Sequence, residues 1–446
     1  MAGAPTGERA GGMNACIPLA GPRSADAVIA RHDGQAIAWG WVLQHSASLA
    51  GRLRAHRVKR LGLWCADGHV LLVGLLAAAR AGCTVVLPPA DQPGLLHDLS
   101  GAWDVLAGDG AGMMPVLAEG SEAMTAPIGD IAIAFFTSGS TAQPKRVERR
   151  LDHLQAEVAA LHALWPGVGW GFHHATVPHQ HIYGLVFKLL WPLLCGRGFF
   201  SSSHQYWESV QAEMRDGDVL ISSPAHLSRL GGLSAMHRPA LLLSAGAALP
   251  MRAADEAESV FGLRPMEVFG STETGAIAAR PAVASAPWSV LPGNVVTADA
   301  DGLLMLTSPW GAGVHTGADA VDVLPDGRFH LLGRADRVVK IEGKRVGVAA
   351  VEAALRTLPQ VADVVVIKVN AGRDQLAAAV VPSLLGRAEL AQLGAFRFGR
   401  RLRAGLAEML EPMARPRLWR FVDEVPCNAM GKRTESAVSA LFLTGA

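Results

Sequence analysis

The sequence predicts an α/β protein with a large N-terminal domain and a smaller α+β C-terminal domain. First, its 446 residues exceed the length of one ordinary domain. Second, short apolar runs alternate with segments of helical periodicity between residues 60 and 275. That alternation is typical of parallel-rich sheets with flanking helices. Third, short strand patterns with turn signals near 290–333 indicate a small antiparallel or barrel-like subdomain, and mixed helices and strands follow from about residue 337.

Composition excludes several classes of protein. The net charge is +1, whereas general nucleic-acid binding needs a basic footprint. The longest apolar run, residues 70–79, is too short to span a bilayer, and the N-terminus shows no apolar stretch of a signal peptide. The five scattered cysteines favour a reducing compartment. We therefore expect a cytoplasmic protein without nucleic-acid or membrane partners, whose first domain starts near residue 13.

Polar loops repeatedly follow the predicted strands of the first domain. Strand patterns at residues 131–136, 240–243 and 266–269 each lead into a loop rich in Ser, Thr or Gly. In open α/β sheets the carboxyl ends of strands lie at one edge, where ligands bind. We expect these loops to lie together there.

Residues 135–145, FFTSGSTAQPK, form the most informative of these loops. Four hydroxyl side chains surround one glycine, and Lys145 follows. Such a loop offers backbone N–H groups, hydroxyl donors and a cation to a polyphosphate. Taken alone, most loops of this composition are turns that bind nothing.

Three further segments have a chemical and an ordinary interpretation. In residues 269–275, FGSTETG, Glu273 is either a Mg²⁺ ligand beside phosphate or a helix-capping residue. Residues 333–345 combine dense charge with two glycines, as an exposed hairpin also does. Residues 426–432, PCNAMGK, end a turn at Lys432. A Walker P-loop is excluded there, because Pro426 stands where glycine is needed and Arg433 replaces Ser or Thr.

In this order and at these separations, the four segments resemble the core motifs of the adenylate-forming (AMP-binding) superfamily. That superfamily includes acyl- and aryl-CoA ligases, nonribosomal-peptide adenylation domains and firefly luciferase. The resemblance covers residues 30–435 and is nearest to short bacterial aryl-acid ligases. It implies an AMP-binding domain at 13–333, a hinge at 334–336 including Asp336, and a mobile C-terminal domain at 337–446 with a catalytic lysine.

The resemblance also implies the cofactors and the site residues. ATP and Mg²⁺ would be used, and CoA or another phosphopantetheine thiol would be the acceptor. The implied catalytic residues are Lys432, Thr272 at the α-phosphate, Glu273 as the metal ligand, and His181 in a packing or gating role. The implied binding residues are Thr137, Ser138, Gly139, Ser140, Thr141 and Lys145 at the phosphates, Gly246, Phe269 and Gly270 near adenine, Asp319 and Arg334 at the ribose, and Gly343 along the pantetheine tunnel.

Three departures from the superfamily pattern keep an alternative open. Ala142 and Arg146 stand where glycines are usual, and the ribose motif Thr316–Asp319 has one extra residue, Ala318. A non-catalytic nucleotide-binding relative is the alternative, although Lys432 and Glu273 are retained. A luciferase-type oxygenase has no discriminating feature here.

The acid is expected to be aromatic and hydroxybenzoate- or cinnamate-like. Residues 178–184, PHQHIYG, resemble the acid-pocket wall of aryl-acid ligases such as those for coumarate. Residues 244–250 resemble benzoate-type CoA ligases, which have Glu where Ala247 stands. The alternative is an aliphatic (fatty) acyl-CoA synthetase in which His181 and Tyr183 only pack. We expect no metal at the nearby histidines, which no carboxylate joins in the sequence.

The acceptor is left open between CoA and an acyl carrier protein. Arg397, Arg400, Arg401 and Arg403 lie on a basic helix predicted at residues 396–410, and the first three have i, i+3, i+4 spacing. Such a face could dock an acidic carrier protein, whereas the commoner alternative is an ordinary solvated face. Lys340 and Lys344 would suit the phosphates of CoA.

Overall fold

The computed structural model describes residues 16–118, 126–137, 145–166, 171–311, 313–334, 338–341, 344–370, 374–425 and 435–443. The strands are β1 (Val28–His32), β2 (Gln35–Ala38), β3 (Arg60–Trp64), β4 (Thr84–Leu87), β5 (Val105–Gly108), β6 (Met114–Pro115), β7 (Ala132–Thr137), β8 (Lys145–Arg150), β9 (His173–Ala175), β10 (Phe199–Phe200), β11 (Val219–Ser222), β12 (Leu241–Ala245), β13 (Met266–Ser271), β14 (Gly275–Pro281), β15 (Ser289–Val290), β16 (Val295–Ala298), β17 (Leu303–Thr307), β18 (Val314–Val323), β19 (Phe329–Arg334), β20 (Val338–Ile341), β21 (Lys344–Gly347), β22 (Val361–Asn370), β23 (Asp374–Pro382) and β24 (Leu418–Phe421).

The helices connect and cover these strands. They are α1 (Trp39–Ala55), α2 (Gly68–Ala81), α3 (Pro93–Asp98), α4 (Leu151–Leu164), α5 (Ile182–Gly184), α6 (Trp191–Leu194), α7 (Trp207–Glu213), α8 (Pro224–Leu227), α9 (Met251–Phe261), α10 (Val348–Arg356), α11 (Leu384–Gly405) and α12 (Glu435–Leu443). A π-helix, Leu185–Leu190, joins α5 to α6. None of the helices in the described part of the chain has the length and apolar character that a membrane span needs.

Two parallel-rich sheets form the framework of the larger domain. One has nine strands in the order β15-β14-β13-β12-β11-β9-β10-β1-β2, and the other has six in the order β6-β5-β3-β4-β7-β8. Strands β1 and β9–β13 pair in parallel, and antiparallel strands lie at both edges. The parallel strands are apolar and buried, as in β11, because helices cover both faces. The predicted α/β class is confirmed.

The two sheets share one hydrophobic core. It joins Leu61 and Val85 of the six-stranded sheet to Val219 and Leu243 of the nine-stranded sheet through α2, α4 and the π-helix. Helix α2 is buried along nearly its whole length, since apolar residues surround its axis. A helical layer between the sheets therefore holds their relative positions.

The two remaining units have their own cores. Strands β16–β19 form an antiparallel sheet in the place of the expected small subdomain, packed around Trp288 and Phe329. In the C-terminal region, β22, β23 and β24 form a sheet around a core that includes Leu355 and Phe398. The boundary at 334–336 remains a prediction, because residues 335–337 lie outside the described part.

One helix differs from its predicted bounds. The sequence pattern indicated a basic helix at 396–410, whereas α11 begins at Leu384 and ends at Gly405. The helix contains a kink at Gly394, whose φ is +73°. A glycine adopts that left-handed conformation without a steric penalty, so two helical segments with different faces join there.

Candidate active site

Strands β7 and β8 bring the two ends of the first motif together. They pair antiparallel with Thr137 opposite Lys145, and the Thr137 hydroxyl donates to the Lys145 carbonyl at 3.4 Å. These residues flank the predicted phosphate loop. Seven of the predicted site and hinge residues lie outside the described part of the chain: Ser138, Gly139, Ser140, Thr141, Asp336, Gly343 and Lys432.

Lys145 and Glu273 meet although 128 residues separate them in sequence, with Nζ 3.1 Å from Oε1. Lys145 is exposed and Glu273 is half-buried. Desolvation acts to raise the pKa of Glu273, but hydrogen bonds from Lys145 and other nearby groups outweigh it, and the pKa is lowered. At neutral pH the site therefore presents an ionised carboxylate beside an exposed lysine.

A buried ion pair supports the turn that contains Glu273. Arg149 Nη1 donates to the carbonyls of Thr272 at 3.2 Å and Glu273 at 3.4 Å. Its Nη2 lies 3.6 Å from Glu157 Oε2, and the two side chains are only 4% and 2% exposed. Glu157 Oε1 in turn accepts from the backbone N–H of Ala276 at 2.9 Å. The pair thus holds both ends of the turn between β13 and β14.

Sequence reasoning missed Arg149 and Glu157. The signal lay in α4, where Glu157 follows Leu154 by three residues and precedes Leu161 by four. That spacing puts a carboxylate on the apolar face of the helix, and such a group needs a buried partner. The periodicity indicates the face but does not identify Arg149 as the partner.

Two glycines allow the close packing of this turn. A Cβ at Gly270 would lie 2.2 Å from the Gly275 carbonyl oxygen. Gly275 has φ +70°, and a Cβ there would lie 2.2 Å from Glu157 Oε2. The FGSTETG segment therefore requires glycine at both positions for steric reasons, besides any contact with a ligand.

We expect Gly275→Ala to destabilise the protein more than Gly327→Ala. Both positions have positive φ, which costs an L-residue about 1–2 kcal/mol, but no atom lies within 4 Å of a Cβ at Gly327. Only Gly275→Ala also forces its new methyl group into Glu157. Urea unfolding of both variants measures the difference, and equal losses would contradict this view of the turn.

Gly246 and Phe269 lie next to each other at the carboxyl edge of the nine-stranded sheet. The parallel register pairs Ala245 with Val268, which puts Gly246 and Phe269 at the following position. Gly246 is exposed with φ +93°. Phe269 is half-buried, with its ring 5.5 Å from that of Trp288. This edge offers an aromatic face beside an open backbone, an arrangement suited to a flat base.

Asp319 and Arg334 are direct partners on neighbouring strands β18 and β19. Between β17 and β18 the register passes from Met305 opposite Thr316 to Leu303 opposite Ala320. Two residue steps on β17 thus match four on β18, so a bulge accommodates the extra residue of the ribose motif. The insertion does not separate Asp319 from Arg334, which supports the choice of Asp319.

The predicted acid-pocket segment begins the helical stretch that contains the π-helix. His181 is exposed and precedes α5. Tyr183 is half-buried with its ring 4.9 Å from that of Phe187, and burial raises its pKa well above the usual value. π-Helical turns occur frequently at functional sites.

Buried Lys188, on the π-helix, is a further residue that sequence reasoning missed. Its Nζ donates to the Ser201 carbonyl at 2.7 Å and lies 3.1 Å from Ser203 Oγ and 3.2 Å from His179 Nδ1. Burial lowers the pKa of Lys188 to about 7. His179 Nε2 also lies 2.9 Å from the Cys65 carbonyl oxygen. These bonds fix the segment that precedes His181.

The fold brings a carboxylate to one of these histidines, although none is near them in the sequence. His174 Nε2 lies 3.1 Å from Asp218 Oδ2, and its Nδ1 lies 3.0 Å from His204 Nε2. Asp218 immediately precedes β11, the neighbour of β9, and this proximity arises only from the sheet order. His181 is exposed and does not share these bonds.

A cavity of about 460 Å³ borders Glu273 and Thr274. Arg149, Arg150 and His153 contribute to its wall. Its lining does not include Gly246, Phe269 or the Asp319–Arg334 pair. The predicted nucleotide contacts therefore lie at the strand ends and mostly outside this cavity. Of these residues, Glu273 lines the cavity.

Comparison with known proteins agrees with this arrangement. The model of the AMP-binding enzyme family matches residues 98–298, and that of the AMP-binding enzyme C-terminal domain matches residues 350–432. The chain is 30% identical over 302 residues to a 4-coumarate–CoA ligase of Rhodobacter capsulatus, covering 67% of this chain and 73% of that protein.

Solved structures share the fold at lower identity. Apo MatB from Rhodopseudomonas palustris has a TM-score of 0.73 at 20% identity, covering 94% of this chain and 96% of that one. A benzoate CoA ligase from Burkholderia xenovorans LB400 has a TM-score of 0.67 at 20% identity, covering 92% and 96%. Both the predicted fold and the predicted superfamily are thus confirmed, and the chain belongs to the AMP-binding enzyme family, as an AMP-forming acid–thiol ligase.

Proposed function

We propose that this enzyme activates an aromatic carboxylic acid as its acyl-adenylate and transfers the acyl group to a phosphopantetheine thiol. The observation that supports this most is the 3.1 Å contact of Lys145 with Glu273. It joins the first phosphate motif to the proposed metal ligand at the edge where Gly246 and Phe269 also lie. We place the enzyme in the cytoplasm, where ATP and CoA are available.

The proposed chemistry needs cations where negative charge develops. Attack of a carboxylate on the α-phosphate brings two anions together. Lys145 would bind the outer phosphates, Thr272 would contact the α-phosphate, and Lys432 would bridge the substrate carboxylate and the α-phosphate. The C-terminal domain would then move, so that the thiol reaches the adenylate while water is excluded.

Glu273 fits the requirements of a Mg²⁺ ligand. It is an ionised, half-buried carboxylate at a strand end, and Mg²⁺ in nucleotide sites typically takes one or two carboxylates together with phosphate oxygens and water. When bound, the ion would neutralise charge on the phosphates. Arg149 would keep the carboxylate in place through the turn backbone.

Glu273→Gln is expected to raise the Mg²⁺ concentration needed for half-maximal adenylation and to lower kcat about 10²–10³-fold, the range for loss of one electrostatic contact. The amide has nearly the same shape but cannot offer an anionic ligand. Initial rates across a Mg²⁺ titration test this. Glu148→Gln, on β8, is the control. An unchanged Mg²⁺ dependence in Glu273→Gln would remove the metal assignment.

The aromatic acid is supported by the segment 178–184 and by the relatives. Two of the similar proteins are named for 4-coumarate and for benzoate. The proposed substrate is hydroxybenzoate- or cinnamate-like, with His181 and Tyr183 on the wall of its pocket. An aliphatic acid is the alternative, with these two side chains only packing.

Basic side chains in the described part of the chain are compatible with either acceptor, CoA or an acyl carrier protein. Arg397 and Arg400 are exposed on α11, and Arg401 is paired with Glu389 at 2.9 Å. Arg403 instead donates to the Arg415 carbonyl and so serves the fold. The exposed pair suits an acidic carrier protein, whereas Lys340 near the proposed hinge suits the phosphates of CoA.

The test is pyrophosphate release from Mg-ATP with aryl and aliphatic acids, assayed separately with CoA and with a carrier protein. Release with hydroxybenzoate- or cinnamate-like acids would support the proposal, and the faster thiol would identify the acceptor. Release only with aliphatic acids would favour the acyl-CoA synthetase. If no acid causes pyrophosphate release although the protein binds ATP, a non-catalytic relative would be favoured.

A further inference from the structure

A cluster of two histidines and one carboxylate lies at the far side of the nine-stranded sheet. His32 ends β1, Asp67 precedes α2, and His69 lies in the first turn of α2. Each side chain has one potential ligand atom, and these atoms all lie within 4.8 Å of one another. None of the four motif segments includes these residues, so the proposed function leaves the cluster unexplained.

Two consecutive serines orient the cluster. Ser201 Oγ lies 2.7 Å from His69 Nδ1, and Ser202 Oγ donates to Asp67 Oδ1 at 2.7 Å. Metal-binding histidines usually have their second ring nitrogen held in this way, which fixes the ring and its tautomer. The bond at Nδ1 leaves His69 Nε2 as the nitrogen for a metal ion.

Packing and exposure also suit a site with one open side. The His69 ring is buried, with its centroid 5.0 Å from that of His32 and 5.5 Å from that of Trp41. The side chains of His32 and Asp67 are 30% and 22% exposed. An ion can therefore enter from solvent and keep a water molecule, while the buried ligand stays in position.

An ordinary ion pair would explain only part of this arrangement. His32 Nδ1 lies 3.2 Å from Asp67 Oδ1, and the same distance separates His237 Nδ1 from Asp216 Oδ1 on the surface. The His32–Asp67 pair differs from the surface pair in two ways. It has His69 as a third potential ligand, and the hydroxyls of Ser201 and Ser202 contact His69 and Asp67.

We propose that His32, Asp67 and His69 bind a divalent transition-metal ion of the Zn²⁺ type, with one water molecule as the fourth ligand. Two imidazoles and a carboxylate favour such ions, whereas Mg²⁺ prefers sites made of oxygen. The site is separate from the proposed Mg-ATP site, because β1 lies five strand positions from β13, or about 24 Å at ~4.8 Å per strand.

The bound ion would connect the N-terminal hairpin to the wall of the acid pocket. It would link β1 to the start of α2, two residues after Cys65. The Cys65 carbonyl oxygen lies 2.9 Å from Nε2 of His179, in the acid-pocket segment. We therefore infer that the ion stabilises the structure and takes no part in the reaction.

Calorimetric titration of chelator-treated, full-length protein with Zn²⁺ alone tests the proposal. We expect one strong site and a rise in melting temperature on addition of the ion. His32→Gln and Asp67→Asn should each weaken binding at least about tenfold. The matched control is His237→Gln, in the two-residue pair, which should bind as the wild type does. His69 is left intact because it is buried.

Absence of stoichiometric binding, or equal affinity in the two ligand variants and the wild type, would overturn the proposal. Circular dichroism establishes that the variants are folded. A second measurement needs no variant, since Co²⁺ in a four-coordinate site with histidine ligands absorbs more strongly in the visible than six-coordinate Co²⁺. A spectrum of the six-coordinate type would also contradict the assignment.

Discussion

Lys432→Ala is expected to lower adenylate formation about 10²–10³-fold while thioester formation from preformed acyl-adenylate survives. In the proposed mechanism Lys432 compensates the charge that develops when the carboxylate attacks the α-phosphate. It has no task once pyrophosphate has left and the C-terminal domain has moved. The two half-reactions should therefore respond differently to loss of the same side chain.

The measurement compares single turnovers of each half-reaction, starting from acid with ATP or from synthetic acyl-adenylate with the thiol. Lys368→Ala is the matched control, because Lys368 is a lysine of the same region that pairs with Asp374 on the surface. It should leave both steps unchanged. An equal loss of both half-reactions in Lys432→Ala would contradict the proposed domain movement.

Arg149→Met is expected to destabilise the protein by about 3–5 kcal/mol, because it leaves Glu157 buried without its partner. The loss should exceed that of Arg252→Met, which breaks an exposed pair with Glu256 on α9. The double variant Arg149→Met/Glu157→Gln should regain much of the loss, since the amide oxygen can still accept from Ala276. Urea unfolding of the wild type, Arg149→Met, Glu157→Gln and the double variant gives the coupling free energy between the two side chains. If the losses in unfolding free energy simply add, the two residues do not act as a pair.

The pH dependence of the Arg149→Met loss provides a second test. Burial raises the pKa of Glu157 to about 7 even though Arg149 opposes the shift, whereas the unfolded value is about 4.3. Between these values the folded state binds a proton that the unfolded state lacks, so this group's contribution to stability falls as pH rises. Without Arg149 the carboxyl would stay protonated to higher pH. The loss should therefore be larger at pH 8 than at pH 6, and an equal loss would contradict this explanation.

Sequence periodicity predicts the strands that lead into the candidate site. The apolar runs before Thr137 and Gly270 are strands β7 and β13, as predicted, but the two strands belong to different sheets. The carboxyl-edge rule accounts for Gly246 beside Phe269 within one sheet, whereas the meeting of Lys145 with Glu273 depends on how the two sheets pack against each other. The positions of Lys432 and Gly343 remain predictions.

Long-range partners could not be read from the sequence. Periodicity shows that Glu157 lies on a buried face. That Arg149 is its partner depends on where β8 lies relative to the β13–β14 turn, which the sequence does not reveal. The same holds for Lys188, whose partners Ser201 and Ser203 come from another loop, and for Asp218 beside His174. Each contact depends on the order of strands in a sheet, which local patterns do not specify.

The most direct test of the central claim is acid-dependent exchange of labelled pyrophosphate into ATP without any thiol. Exchange requires reversible formation of the acyl-adenylate and does not depend on the acceptor. We expect exchange with hydroxybenzoate- or cinnamate-like acids that requires Mg²⁺ and falls in both Lys432→Ala and Glu273→Gln. ATP binding without exchange for every acid would contradict the assignment of this chain as an adenylate-forming ligase.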